Sequence, residues 1–278
     1  MLRLLNIELQ KIRYNRSAKV ISIVYFVLIT FIALIASIEF NFGGVNFRVA
    51  DQGIFNFPYI WHFSTYIAAI LKLFLAIVIV SMMSNEYSYR TLKQNLIDGL
   101  SKKEFVLSKF ITVLLFAAVS TLFVFVVSII LGYSFSDYTE ISIVFSDMQY
   151  ILAYFIKLVG FFSFCLFLGV LVKRSAFALG FLFIWYIAES IVYGLMQWKF
   201  FKDSDIAYSI ARFFPLESMA LLIKEPFTRL GAVQSAANQL GESLTKNYDV
   251  QWLQIVTVLV WTFIFIYGSL AILKKRDL

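Results

Sequence analysis

The sequence predicts an all-α membrane protein with six transmembrane helices, and three observations carry that reading. Of its 278 residues 61% are hydrophobic and 15% charged, against about 45–50% and about 25% in soluble domains. The mean hydropathy of +0.83 is more apolar surface than one core of this size hides from water. Six stretches are each long and apolar enough to cross a bilayer, which takes roughly 20 residues. The 31 Phe, 15 Tyr and 5 Trp suit a lipid-facing chain with aromatic belts.

At the start of the chain Leu2, Leu5, Leu9 and Ile12 recur at helical spacing, with Arg3, Asn6, Gln10 and Arg13 around the rest of the helix. That pattern predicts an amphipathic N-terminal helix lying in the membrane interface, with a simple basic flank of the first span as the alternative. Residues 1–17 lack the apolar core and small-residue cleavage site of a signal peptide. The spans follow at about 20–40, 59–83, 110–131, 151–172, 177–197 and 252–273. Gly and Pro are scarce inside them, so continuous helices are expected, and the short alternating strands of a barrel are not seen. The whole chain, 1–278, reads as a single transmembrane domain.

Positive charge orients it. Segments 1–19, 84–109, 173–176 and 274–278 hold 15 Lys or Arg, and the longer set 41–58, 132–150 and 198–251 holds 7. Positive loops stay in the cytoplasm, so both termini are expected there. The net charge of +7 is then mostly topology and gives no argument for nucleic-acid binding. A single cysteine, Cys165, excludes a disulfide framework, and a single histidine, His62, argues against a His/Cys metal site.

The loop between the second and third spans is the most informative. Leu92, Leu96 and Leu100 fall on one helical stripe, Gly99 suits a left-handed helix stop, and Ser101-Lys-Lys-Glu104 matches a capping box. The loop therefore parses as a short helix, a sharp turn and a capped helix entering the third span. A helix this short is unstable alone. It needs the membrane surface, the rest of the chain or another protein.

With six spans, an amphipathic start and this loop, the chain resembles the membrane (permease) subunit of a type-2 ABC exporter. The matching residues are Glu86, Thr91-Leu92-Lys93, Leu96 and Ser101-Lys102-Lys103-Glu104 through Lys109. Residues 214–223, before the last span, resemble the family's external segment. Members often carry Gly-Thr in place of Arg90-Thr91, and Pro in place of Gly99-Leu100. The resemblance implies a cytoplasmic coupling helix, with Glu86, Tyr89, Arg90, Thr91, Leu92, Lys93, Leu96 and Asp98 as ATPase-coupling residues. It implies two permeases, identical or related, beside two cytosolic ABC ATPase subunits in a bacterial plasma membrane. The chain has no Gly-x-x-x-x-Gly-Lys-Ser/Thr loop, so ATP and Mg would be bound by the partner and this chain would carry no cofactor.

Three ionisable residues lie within spans. Lys157 reads as a lysine snorkelling to the outer headgroups. Lys72 and Glu189 fall at similar depth, either as a pair or as two groups lining one aqueous cavity. Glu189 shares a stripe with Trp185, Tyr186, Tyr193 and Gln197. By resemblance the second and fifth spans line the path, making Lys72, Tyr186, Glu189 and Tyr193 the pathway candidates. His62, beside Trp61 and Tyr59, reads as an interfacial belt residue, and Cys165 as a buried small side chain. No Ser/His/Asp or Cys/His set can be assembled, so catalysis by this chain is not expected.

Residues 198–251 are too long for a bare connection. Two short external helices are expected at 206–212 and 216–224, with Gly231 and Gly241 bounding a polar stretch that forms a further helix or a loop. The external segments carry 7 basic and 11 acidic residues, including Asp203 and Glu242, a balance that leans toward cationic or neutral cargo. The functional expectation is an ATP-coupled export permease working as a dimer among membrane lipids. The rivals are a non-transporting anchor in a motility, secretion or sensing complex, and an ATP-independent carrier.

Overall fold

A computed structural model describes residues 2–42, 45–202, 205–240 and 246–276; Asp203, Gly241 and Glu242 lie outside them. Helix α1 (Leu2–Tyr14) ends at Asn15, whose side chain accepts a hydrogen bond from the Ala18 amide (3.1 Å) and caps α2 (Arg16–Ser37). The chain then makes a hairpin, β1 (Glu39–Phe42) and β2 (Val45–Arg48), before α3 (Tyr59–Ser88). Next come α4 (Thr91–Ile97), α5 (Lys102–Phe135), the one-turn α6 (Ile141–Val144) and α7 (Gln149–Val172). Helix α8 (Ser175–Leu195) runs on into a π-turn at Met196–Phe200. Short helices α9 (Ile206–Ala211), α10 (Pro215–Leu221) and α11 (Gly231–Gln239) lead to α12 (Trp252–Lys275).

Six of these elements, starting at Arg16, Tyr59, Lys102, Ile141, Ser175 and Trp252, are long and apolar enough to cross a membrane. The chain is a multi-pass membrane protein. With so little Gly or Pro to interrupt them, α3 and α5 run unbroken for 30 and 34 residues, longer than the stretches read from hydropathy. Their extra turns carry polar residues beyond the bilayer-length core.

The described residues are helical as expected, with this short hairpin as an addition. Glu39-Phe-Asn-Phe and Val45-Asn-Phe-Arg alternate apolar and polar residues around Gly43-Gly44, which is hairpin patterning. The strands pair antiparallel with Glu39 opposite Arg48 and Phe42 opposite Val45. A period of two over only four residues was hidden by the length of the neighbouring apolar spans.

Helix α7 is the axis of the bundle: 78% of its spanning window is buried, against 11% for α2 and for α8. It packs against α3, α5, α8 and α12. Two glycines on α7 allow its neighbours to approach closely. A Cβ on Gly160 would sit 2.6 Å from a methyl of Val258 on α12, and one on Gly169 would sit 2.9 Å from Met83 Cβ on α3. A buried polar knot ties three helices where apolar packing alone is weakly specific. The Tyr25 hydroxyl lies 2.5 Å from Ser120 Oγ and 2.7 Å from the Tyr154 hydroxyl.

Helix α1 and the last turn of α12 meet at one end of the bundle, the terminal end. Lys102 Nζ there donates to the Arg276 carbonyl (2.9 Å), and Arg276 donates to the Val170 carbonyl (2.6 Å). The hairpin and α9, α10 and α11 lie at or toward the opposite end.

Candidate functional site

At the terminal end, four charged side chains and a hydroxyl join α1, α3, α4 and α5. Lys109 Nζ donates to Glu8 Oε2 and to Glu86 Oε1, both at 2.5 Å, and Lys11 Nζ donates to the same Glu86 oxygen at 2.7 Å. Thr91 Oγ1, in the first turn of α4, donates to the other Glu86 oxygen at 2.5 Å. The Lys109, Glu8 and Glu86 side chains are 1%, 4% and 3% exposed. So deep a carboxylate pair is tolerated because two ammonium groups and a hydroxyl share it. Lys11 is one-third exposed. Burial opposes its charge, but the hydrogen bond to Glu86 and the two carboxylate charges outweigh burial and raise its pKa.

The cluster fixes α4 in place. Leu92 is buried, and Leu96 and Leu100 pack against the main core, so the partner this apolar stripe needed is the chain itself. Gly99, at φ +96°, ends the helix. The Leu100 amide returns to the Asn95 carbonyl (3.0 Å) and the Gly99 amide to Leu96 (3.2 Å), the double bond of a Schellman stop. Both halves of the capping box form: Ser101 Oγ accepts from the Glu104 amide (3.2 Å), and Glu104 Oε2 accepts from the Ser101 amide (2.9 Å).

The expected coupling residues therefore divide into two groups. Glu86, Thr91, Leu92 and Leu96 face inward and brace the loop. Tyr89, Arg90, Lys93 and Asp98 are exposed, together with Gln94 and Ile97; Tyr89 and Ile97 each reach 75% exposure. Arg90 is left-handed (φ +57°), a conformation that favours glycine, and this is the position where the resembled family often has Gly. A cavity of about 450 Å³ opens beside the cluster, between the α1–α2 joint and the end of α3.

Halfway along the bundle the structure separates Lys72 from Glu189. The Glu189 carboxylate accepts from Trp185 Nε1 (2.7 Å) and from the Leu216 and Glu217 amides (3.1 Å each). It thereby caps the N-terminus of α10, whose first residue, Pro215, has no amide to offer. Lys157 is 4% exposed, so the snorkelling expectation fails. Its Nζ donates to the Ala220 and Ile223 carbonyls at 3.4 Å, at the other end of α10. The acid at the positive end and the base at the negative end match the helix dipole. Sequence reasoning missed this pairing because the partner is backbone, invisible to a search for opposite charges.

Lys72 stands apart. Its Nζ lies 4.5 Å from the Phe161 ring centroid, and it forms no salt bridge among the described residues. A charge near a bilayer centre costs about 2.5–3.5 kcal/mol on insertion scales, so this lysine calls for a partner. It lines a cavity of about 300 Å³ with Lys157, Phe161 and Tyr186. A smaller pocket of about 130 Å³, lined by Tyr186, Glu189 and Tyr193, adjoins it. All four pathway candidates thus border two neighbouring cavities, between α3, α7, α8 and α10.

At the opposite end His62 is fully buried, not exposed in an interfacial belt. It stacks on Tyr150 with centroids 4.3 Å apart. Arg229, which can only donate, lies 3.1 Å from His62 Nδ1, and His62 Nε2 lies 2.9 Å from the Lys224 carbonyl. These contacts fix a neutral ring with the proton on Nε2. The ring anchors the connection between α10 and α11, where the sequence patterning shows only isolated aromatics.

A family model described as "Protein of unknown function (DUF2705)" matches residues 31–278. The chain belongs to the DUF2705 family. No curated protein matches it. The DUF2705 match contains Glu86, Lys109, Lys72 and Glu189, whereas Glu8 and Lys11 precede it. Glu8 is the residue that sequence reasoning should have found. It is the only acid in the first 38 positions, and with Leu5 and Ile12 at spacings of three and four it sits on the face taken to be apolar.

Proposed function

We propose that this chain is the transmembrane permease subunit of a type-2 ABC exporter, working as a dimer beside separate cytosolic ATPase subunits. The observation that carries the reading is α4, a short helix pinned by a buried ion cluster while Tyr89, Arg90, Lys93 and Ile97 face outward. Pinning an exposed helix to two spanning helices makes a lever. Force applied to α4 passes through Thr91, Glu86 and Lys109 into α3 and α5 with little slack. The terminal end would be cytoplasmic, as the excess of Lys and Arg there requires. ATP binding would close the ATPase dimer against α4, and α3 would carry the motion to the cavities bordered by Lys72 and Tyr186. Helix α10, held at both ends by Glu189 and Lys157, would gate the outward opening.

The carrier reading predicts no ATPase partner, and the anchor reading predicts no cargo-dependent hydrolysis. The test is purification in mild detergent from a native host, with a tag at the C-terminus. A nucleotide-binding subunit is expected to come along and to be lost from the double variant Lys93→Glu, Ile97→Asp. These exposed residues are better probes than Leu92 and Leu96, whose replacement by Asp would unfold the loop itself. Purification of the permease without any ATPase, in every condition, would remove the reading.

A further inference from the structure

Of the ionisable groups inside the spans, Glu189 and Lys157 are hydrogen-bonded to α10, and Lys72 has neither a hydrogen bond nor a salt bridge among the described residues. The cavity it lines is mostly apolar and aromatic, with Tyr66, Phe161, Phe183 and Tyr186 among its walls. Lys157 gives that cavity a second ammonium, which likewise forms no salt bridge among the described residues. Lys72 lies 13 residues into α3, about 20 Å from the end that begins at Tyr59, beyond the reach of headgroups on either side.

The spanning helices of a second copy offer no unengaged acid at that depth. The acids on the spanning elements are Asp147 near the hairpin end, Glu86 and Glu104 near the terminal end, and Glu189. Glu86 is held by two lysines, Glu104 by Ser101, and Glu189 by Trp185 and α10. A cavity of about 300 Å³ is also at the small end of the range for organic ligands.

We infer that this cavity binds an amphipathic anion, whose phosphate or carboxylate pairs with Lys72 while its apolar body lies against Phe161, Phe183 and Tyr186. The site reverses the lean toward cationic or neutral cargo read from the acidic outer segments. Those segments are met by solvent, whereas the cavity is met by whatever enters the membrane. The inference rests on the permease reading for its role, as a cargo site, but the binding itself needs no ATPase.

The experiment is thermal unfolding of the full chain in phosphatidylcholine nanodiscs, with decyl phosphate as the probe. Decanol, decylamine and inorganic phosphate are the controls. At about 100 times the dissociation constant, decyl phosphate is expected to raise the midpoint of the wild type by about 5 °C. Lys72→Arg keeps the shift, and Lys72→Gln and Lys72→Met lose it. Using both neutral variants keeps the test open if one fails to fold. Decanol, decylamine and inorganic phosphate are expected to give no shift. An equal shift in the neutral variants, or with decanol, overturns the assignment to Lys72, and an equal shift with inorganic phosphate overturns an amphipathic ligand. Adding phosphatidylglycerol to the disc separates two sources of the same chemistry. Loss of the decyl phosphate shift identifies a resident lipid as the occupant, and its persistence identifies a smaller amphiphile. Binding without any co-purifying ATPase would retain the site and remove the transport role; an ATPase partner without binding would do the reverse.

Discussion

Replacing Lys109 by Met is the most demanding perturbation of the account. The ammonium donates to Glu8 and Glu86 at 2.5 Å each, and all three side chains are at most 4% exposed. Methionine fills a similar volume but leaves two buried carboxylates with Lys11 as their only cation, at 3.3 and 2.7 Å and one-third exposed. Removing one partner from a buried ion pair costs about 3–5 kcal/mol. At about 2 °C per kcal/mol for a chain of this size, the midpoint falls by roughly 6–10 °C. The assay is thermal unfolding of purified protein in mild detergent, followed by intrinsic fluorescence. The double variant Glu8→Gln, Lys109→Met removes one of the orphaned charges. It is expected to recover at least about 1 kcal/mol relative to the sum of the single variants. A Lys109→Met midpoint within about 1 °C of the wild type, with additive double-variant behaviour, would refute the cluster as the brace of α4.

Three further outcomes are expected. Arg90→Gly relieves a left-handed residue at φ +57° and is expected to raise stability by up to about 1 kcal/mol, read as a higher unfolding midpoint; a loss would show that the arginine side chain is anchored. Glu189→Ala removes the cap of α10, at a cost of about 1–2 kcal/mol, so exchange of the Leu216 and Glu217 amides should quicken about tenfold; unchanged exchange would detach Glu189 from that role. Between α10 and α12, burial pushes the Glu225 carboxyl up, but hydrogen bonds from Lys246 and Thr228 outweigh it and hold the pKa below the ordinary 4.5. Its stabilisation is therefore full above that value and fades as pH falls through the lowered one. Amide exchange at Thr228, corrected for its intrinsic rate, should rise below about pH 4.5, and a flat profile would count against the contact.

What sequence reasoning recovered follows from the range of the interactions. The spans, Gly99 and the Ser101–Glu104 box are written in residues within a turn or a span of each other, and all appear in the structure. Lys157, His62 and Glu189 were misjudged or left open because their partners are backbone groups of α10 and the chain beyond it, tens of residues away. A carbonyl or amide leaves no mark in composition. The Glu8–Lys109–Glu86 cluster spans about a hundred positions, and only the lone acid on the apolar face of α1 hinted at it. The apolar stripe of α4 correctly signalled a need for a partner. Only the fold reveals that this partner is the chain's own core and that the helix's other face is the exposed one.

The reading as an ATP-coupled permease turns on what touches that outer face. Cys165 is the sole cysteine and is buried, so Ile97→Cys introduces one accessible thiol at a position 75% exposed. Loading that thiol with a benzophenone maleimide and illuminating the native membranes would trap its neighbour, to be identified by mass spectrometry. The account predicts an adduct with a phosphate-loop ATPase, absent when the label sits instead on Tyr138→Cys at the opposite end. Adducts with lipid alone, from a fully expressed and correctly folded protein, would contradict it.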